Sequence, residues 1–98
     1  ADTTPPAPPA ALLAVPSAGT VRLAWNPSAS PDVATYAVYR AGETGDFVRI
    51  ATTLAVATVY QDRDVRAGTT YRYAVTALDR AERANESPRS NVVTVRVP

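Results

Sequence analysis

Apolar side chains recur at every second position in four stretches of this 98-residue chain. In the clearest stretch, Val21, Leu23 and Trp25 alternate with Arg22 and Ala24. The same alternation aligns Tyr36 with Val38, Tyr71 with Tyr73, Val75 and Ala77, and Val93 with Val95 and Val97. A period of two is that of a strand with one buried face, whereas a helix repeats every 3.6 residues. We therefore predict four half-buried antiparallel strands.

Weaker alternation and turn-forming residues complete the predicted set of elements. Residues 12–15, 47–51 and 56–60 are the weaker strand candidates, and Gly, Pro, Asn, Asp and Ser are frequent in the gaps between strands. Seven short strands without a convincing helix predict an all-β, seven-stranded, immunoglobulin-like β-sandwich. In the first strand, the pattern allows either Leu12 or Leu13 to face the core.

Composition excludes several classes of function. The chain has no Cys and no His, all its basic residues are Arg, and ten basic against nine acidic residues give a net charge of +1. Disulfides, thiolate or imidazole metal sites and a Ser-His-Asp triad are therefore excluded. The charge gives no strong attraction to nucleic acid, and no apolar run approaches the ~20 residues that span a bilayer. We expect no cofactor, no nucleic-acid partner and no membrane insertion.

Carboxylates are the remaining groups that could support hydrolysis or bind calcium. They fall near predicted strand ends, at Asp62, Asp64, Asp79, Glu82 and Glu86. A glycosidase needs two carboxylates facing each other across a cleft, and calcium needs about six to eight oxygen ligands. Asp62 and Asp64 fit ordinary turn positions equally well, and the glutamates fit solvated ones. We predict that the domain is not an enzyme and has no metal site.

The first nine residues, ADTTPPAPP, hold four of the nine prolines. Proline fixes φ, removes a backbone donor and favours the extended polyproline conformation. We predict a semi-rigid linker over residues 1–9 and a folded domain over residues 10–98. A linker implies a neighbouring domain in the same polypeptide; a frayed terminus is the alternative.

A series of short motifs occurs in a characteristic order along almost the whole chain. They are Pro8-Pro9 before Leu12, Val21-x-Leu23-x-Trp25, Asp32-Val33 before Tyr36-x-Val38, Gly68-Thr69-Thr70-Tyr71, Tyr73-x-Val75-x-Ala77 and Ser87-x-x-Ser90-Asn91. Each motif alone is weak, but their order and spacing together resemble those of a fibronectin type III domain.

The resemblance implies strands A, B and E packed on strands C, C′, F and G. It implies a core that contains Trp25, Tyr36, Val38, Tyr71, Tyr73 and Val75. Within that core, Tyr71 would bury its ring and hydrogen-bond its hydroxyl to the backbone just upstream. The family register favours Leu12 as the inward residue of the first strand. Ala67 departs from the pattern, since the family usually has Pro before the corner glycine.

The closer resemblance is to bacterial members of the family, on residues 2–6, 31–40 and 85–87. Those members occur in secreted or surface proteins, often beside glycoside hydrolase and carbohydrate-binding domains. The resemblance therefore implies an extracellular or cell-surface location. Exclusive use of Arg over Lys, with abundant Ala, indicates a GC-rich bacterial genome.

Two sets of residues are candidates for a partner surface. The core pattern leaves Tyr39 and Phe47 as the aromatic rings able to stack on a polysaccharide, although a cross-strand surface pair is the alternative. The loop over residues 80–90 follows the sixth strand, and end loops carry recognition in such sandwiches. Its candidates for contact with a protein partner are Arg80, Arg83, Asn85 and Arg89; a solvated loop without a partner is the alternative.

We expect a monomeric, non-catalytic module that spaces and orients neighbouring domains or contacts a protein partner. Two alternatives remain at this point. The first is a weak carbohydrate- or protein-binding module of a polysaccharide-degrading enzyme. The second is a fragment that contributes one loop to a neighbouring active site.

Overall fold

The computed structural model describes residues 5–80 and 85–98, and it has seven strands in that part of the chain. They are β1 (Ala10–Ser17), β2 (Thr20–Asn26), β3 (Val33–Ala41), β4 (Val48–Leu54), β5 (Val59–Asp62), β6 (Thr70–Asp79) and β7 (Val93–Arg96). One antiparallel sheet has the order β1-β2-β5, and the second has the order β4-β3-β6-β7. The predicted sandwich of strands A, B and E on C, C′, F and G is confirmed.

The chain enters and leaves this sandwich at opposite ends. Ala10, at the start of β1, pairs with Asn26 at the end of β2. Arg96, at the end of β7, pairs instead with Thr70 at the start of the long strand β6. The molecule is elongated, with principal extents of 46 × 25 × 18 Å.

The core lies between the two sheets and is built from the alternating positions. Its buried members are Leu12, Val21, Leu23, Trp25, Val33, Tyr36, Val38, Tyr73, Val75, Ala77 and Val97. The rings of Trp25 and Tyr36 meet edge to face with centroids 5.7 Å apart. Tyr71 is half-buried against this cluster. The indole N–H of Trp25 is buried and has no hydrogen-bond acceptor within the described residues.

A bulge near the start of β1 sets which leucine faces the core. The register with β2 shifts between Ala10 and Leu13, and Ala11 between them has a φ of 54°. Leu12 is 1% exposed, whereas Leu13 is 65% exposed. The side-chain amide of Asn91 holds this register, because it accepts from the Leu12 N–H at 2.8 Å and donates to the Leu12 carbonyl at 3.0 Å. Leu12 is the inward residue, as the family register implies.

The connection between β4 and β5 lies later than the sequence pattern predicts. β4 continues to Leu54 and β5 begins at Val59, so residues 56–58 are turn rather than strand. The Ala57 N–H donates to the Leu54 carbonyl at 2.8 Å, and the Thr53 hydroxyl donates to the Ala57 carbonyl at 2.8 Å. The sequence does not signal this turn, because it contains no Gly, Pro or Asn. A threonine side chain supplies one of its hydrogen bonds instead.

Two serines attach the chain before β7 to the middle of β6. The Ala77 N–H donates to the Ser87 hydroxyl at 2.8 Å, and the Ser87 N–H donates to the Ala77 carbonyl at 2.8 Å. Ser90 makes the same pair of bonds with Val75, at 3.0 and 2.8 Å. Hydroxyls thus replace missing strand carbonyls, so the buried backbone of β6 stays satisfied.

The turn before β6 has the corner geometry that the family resemblance implies. The Arg66 N–H donates to the Tyr71 hydroxyl at 2.9 Å. Gly68 has a φ of +78°, a conformation that side chains with a Cβ disfavour, and its N–H donates to the Val97 carbonyl at 2.8 Å. The corner therefore joins the start of β6 to the end of the chain.

Replacing Tyr71 with Phe should lower the free energy of unfolding by about 0.5–1.5 kcal/mol, because one hydrogen bond is removed while the ring remains. Urea unfolding followed by Trp25 fluorescence measures the change. Tyr60→Phe is the matched control, because Tyr60 is also half-buried against the core and no described residue hydrogen-bonds its hydroxyl. Equal losses in the two variants would contradict a stabilising corner.

Candidate functional site

A polar cluster lies on the outer face of the four-stranded sheet, away from the core. It is formed by Tyr39 on β3, Arg49 on β4, Thr76 on β6 and Glu86 in the chain before β7. The Tyr39 hydroxyl donates to Glu86, and the Thr76 hydroxyl donates to the same carboxylate oxygen at 2.6 Å. Arg49 donates to the Tyr39 hydroxyl at 3.0 Å and reaches Glu86 at 3.4 Å. Side chains from three strands thus converge on the Glu86 carboxylate.

The environment of Glu86 favours its ionised form. Burial alone would raise the pKa of Glu86, but the hydrogen bonds from Thr76 and Tyr39 and the charge of Arg49 lower it below 4.5. A carboxylate whose pKa is lowered on folding stabilises the fold at higher pH. That contribution is lost as pH falls through the folded-state pKa.

We expect the stability difference between the wild type and Glu86→Gln to depend on pH. It should be constant above pH about 4.5 and should shrink progressively below it, since Gln keeps an acceptor but carries no charge. Urea unfolding of both proteins between pH 3 and pH 7 measures this difference and cancels the titration of the other carboxylates. A difference that is the same at pH 3 and pH 7 would contradict the lowered pKa.

The two rings predicted to stack on a polysaccharide each have a guanidinium group over them. The guanidinium carbon of Arg49 lies 5.6 Å from the centroid of Tyr39. Those of Arg72 and Arg89 lie 5.1 and 4.7 Å from the centroid of Phe47. Both rings are half-buried. Cation–π contacts therefore take up ring surface that sugar stacking would need.

Part of the predicted partner surface lines a shallow depression. Its volume is about 260 Å³, and its lining consists of Tyr39, Thr76, Glu86, Ser87, Pro88 and Arg89. Arg89 also contacts Phe47, so Tyr39, Phe47 and Arg89 share one region of the sheet. Sequence alternation predicts that Tyr39 and Thr76 face outward, but it does not predict that they meet Arg49, because that proximity follows from strand register.

The remaining candidates of the loop lie elsewhere. Arg83 falls outside the described residues, and Arg80 is exposed at the end of β6. Asn85 turns toward Asp79, since its side-chain amide donates to that carboxylate at 2.9 Å and its N–H does so at 2.9 Å. Asn85 thus anchors the loop to β6.

The two aspartates considered for hydrolysis share one arginine instead of facing a cleft. Asp62 is 1% exposed and accepts two bonds from Arg40, at 2.8 and 3.1 Å, while Asp64 reaches Arg40 at 3.4 Å. The Tyr73 hydroxyl also donates to Asp62, at 2.7 Å. The pKa of Tyr73 is raised well above its usual range. Burial is the main cause, and this contact with Asp62 is the second. The ion pair joins β5 of one sheet to β3 of the other, and the Tyr73 hydrogen bond joins β5 to β6.

The outer face of the three-stranded sheet offers apolar rather than chemically reactive groups. Leu13, Val15 and Val59 are exposed there. A depression of about 500 Å³ lies along β5, lined by Arg22, Val59, Tyr60 and Gln61. Among residues 5–80 and 85–98, no three acidic side chains come together as a metal site would require. The same part of the chain contains no helical segment with the length and apolar character of a membrane span.

Comparison with solved structures finds this fold in both isolated domains and large enzymes. A Fn3-like protein from Clostridium thermocellum is 31% identical, with a TM-score of 0.75, and the match covers 97% of this chain and 96% of that one. A beta-1,2-glucanase from Parabacteroides distasonis is 25% identical with a TM-score of 0.81, over 98% of this chain and 14% of the glucanase. No protein-family model and no curated protein matches the chain in sequence.

A third structure is that of the pectate lyase PelI from Erwinia chrysanthemi in complex with tetragalacturonic acid. It is 26% identical with a TM-score of 0.70, over 86% of this chain and 27% of the lyase. In both enzymes the matching region is therefore a minor part of a longer polypeptide.

Proposed function

This chain belongs to the fibronectin type III family, and we propose that it is a non-catalytic module that spaces and orients neighbouring domains of a larger secreted or cell-surface bacterial protein. The observation that carries the proposal is the position of its ends. The chain arrives beside Asn26 and leaves beside Thr70, at opposite ends of a body 46 Å long. Such a module separates its neighbours instead of folding them back on each other.

Two further observations support a role without catalysis. The acidic pair Asp62 and Asp64 is engaged by Arg40, and the Glu86 carboxylate is engaged by Tyr39 and Thr76. Comparable domains also occur as minor parts of a glucanase and a pectate lyase. Polysaccharide-degrading enzymes are accordingly one class of parent protein that we propose.

Small-angle X-ray scattering tests the spacer role on a longer chain that carries a compact domain before residue 5 and another after residue 98. We expect a narrow distance distribution whose inter-domain peak reflects the 46 Å length of this module. The control replaces the module with a Gly/Ser linker of the same residue count, which behaves as a random coil. Identical distributions for the two chains would contradict the proposal.

A binding role is the second candidate, and the depression beside Arg89 is the observation that favours it. Because guanidinium groups lie over Tyr39 and Phe47, the surface suits a ligand or protein segment with carboxylates better than a neutral glycan. NMR titration of the labelled chain with tetragalacturonate and cellotetraose separates the two chemistries. Amide shifts at Arg89 and Phe47 with tetragalacturonate but not cellotetraose would establish binding, provided that they are lost in Arg89→Gln. No amide shifts with either sugar at millimolar concentration would exclude these ligands.

A further inference from the structure

The proline-rich segment before β1 is attached to the domain through both backbone groups of one residue. The Ala7 N–H donates to the Ser30 hydroxyl at 2.7 Å. The Ser28 hydroxyl donates to the Ala7 carbonyl at 2.6 Å. In a sheet, a neighbouring strand would supply such a pair of bonds; here two serines of the β2–β3 loop supply it.

The two serines are themselves held by the core. The Ser30 N–H donates to the Ser28 hydroxyl at 3.1 Å, and the Ser28 N–H donates to the Tyr36 hydroxyl at 3.0 Å. Tyr36 is buried and packs edge to face on Trp25. We call Ser28 and Ser30 the serine clamp. Its position is fixed by a core side chain and not by the loop alone.

Burial along the segment has the period of a polyproline helix. Pro6 and Pro9 are buried, whereas Pro5 and Pro8 are exposed. A polyproline II helix has three residues per turn, so residues three apart lie on the same face. Proline also fixes φ at four of the five positions from 5 to 9. One anchored residue between two buried prolines is therefore enough to fix the direction of the whole segment.

We infer that residues 5–9 form a rigid arm of the folded domain, which the serine clamp holds in one direction, and that this arm sets how a preceding domain is oriented. The inference rests on the proposed spacer function and names the residues that transmit orientation. It also extends the rigid unit from residue 10, the start of the predicted domain, at least as far as residue 5.

Ala7 reports on the arm directly, because it has the only backbone N–H between residues 5 and 9. In the labelled 98-residue chain, we expect its ¹⁵N order parameter to match that of strand amides, about 0.85, and not to fall below about 0.6 as in flexible segments. We also expect its hydrogen exchange to be slowed. A flexible Ala7 in the wild-type chain would overturn the inference without any variant.

The double variant Ser28→Ala/Ser30→Ala should release the arm. Each lost hydrogen bond should speed exchange of the Ala7 amide about 2- to 12-fold. Ser30→Thr keeps the hydroxyl and should preserve protection, and Ser17→Ala is the control because that serine is exposed at the end of β1. The dispersed amide spectrum of the strands confirms that each variant is folded. Unchanged Ala7 protection in the folded double variant would overturn the clamp.

These outcomes separate the arm from the spacer role. A mobile Ala7 together with a narrow scattering distribution would reject the arm and leave the proposed function in place. An ordered Ala7 together with a scattering distribution like that of the Gly/Ser linker would keep the arm and reject the spacer role.

Discussion

Replacing Asp62 with Ala is expected to lower the free energy of unfolding by about 3–5 kcal/mol, because it removes the buried carboxylate of an ion pair and leaves the buried Tyr73 hydroxyl without its acceptor, while Arg40 keeps only its bonds to Asp64. The carboxylate accepts from Arg40, from the Tyr73 hydroxyl and from the Asp64 N–H at 3.1 Å. Without it, the Arg40 guanidinium and the Tyr73 hydroxyl lose their shared acceptor between the sheets. Since small domains are stable by about 5–15 kcal/mol, the variant should be near the limit of folding.

Asp64→Ala provides the matched control for this prediction. Asp64 contacts the same arginine, but its side chain is 95% exposed and lies 3.4 Å away. Exposed ion pairs contribute about 0–1 kcal/mol, so this variant should unfold close to the wild type in urea at pH 7. Equal destabilisation by the two substitutions would show that burial of Asp62 does not determine its contribution.

Replacing Trp25 with Ala is expected to destabilise the domain by about 3–5 kcal/mol, because it leaves a cavity in the middle of the core. Trp25 is 4% exposed and packs against Tyr36. Thermal and urea unfolding, followed by far-ultraviolet circular dichroism, measure the loss. Loss of the Trp25–Tyr36 contact should also loosen the serine clamp, which Tyr36 supports.

Trp25→Phe should be much milder than Trp25→Ala, by about 2 kcal/mol or more. Phenylalanine leaves a smaller cavity, and it removes an indole N–H that is buried without an acceptor in the described residues. Removing such an unsatisfied donor returns part of its desolvation cost, about 1–3 kcal/mol. An equal loss of unfolding free energy in Trp25→Phe and Trp25→Ala would contradict this expectation. It would mean that the indole N–H is hydrogen-bonded and that ring volume is not the main contribution of Trp25 to stability.

Outside β1, alternation predicts most of the strand residues that form the core. Val21, Leu23, Tyr73 and Val75 are buried because side chains on a strand point alternately to its two faces, and only one face meets the other sheet. The same rule correctly places Thr76 on the outer face, but outward direction does not make it exposed, since Thr76 is buried. The chain around Glu86 covers it, and a contact between segments ten residues apart has no period along the sequence.

Charged residues show a sharper limit of prediction. Arg40 lies two residues after Val38 and four after Tyr36, so alternation directs its side chain toward the core. A lone guanidinium would be unfavourable there. Its acceptor, Asp62, has the sequence character of a turn residue, although it ends β5 and is buried. The pairing depends on the stacking of two sheets, and no local pattern encodes which residues meet across them.

Local sequence patterns therefore predict most of the strands and of their inward faces, since alternation and turn propensity act over a few residues, and the family resemblance implies the corner at Tyr71. Contacts between distant segments decided the rest. They place Asp62 beside Arg40, bring Tyr39, Arg49 and Thr76 to Glu86, and attach Ala7 to the serine clamp. These contacts exist only once the sheets have packed, because their distances are set by strand register and sheet stacking and not by spacing along the chain.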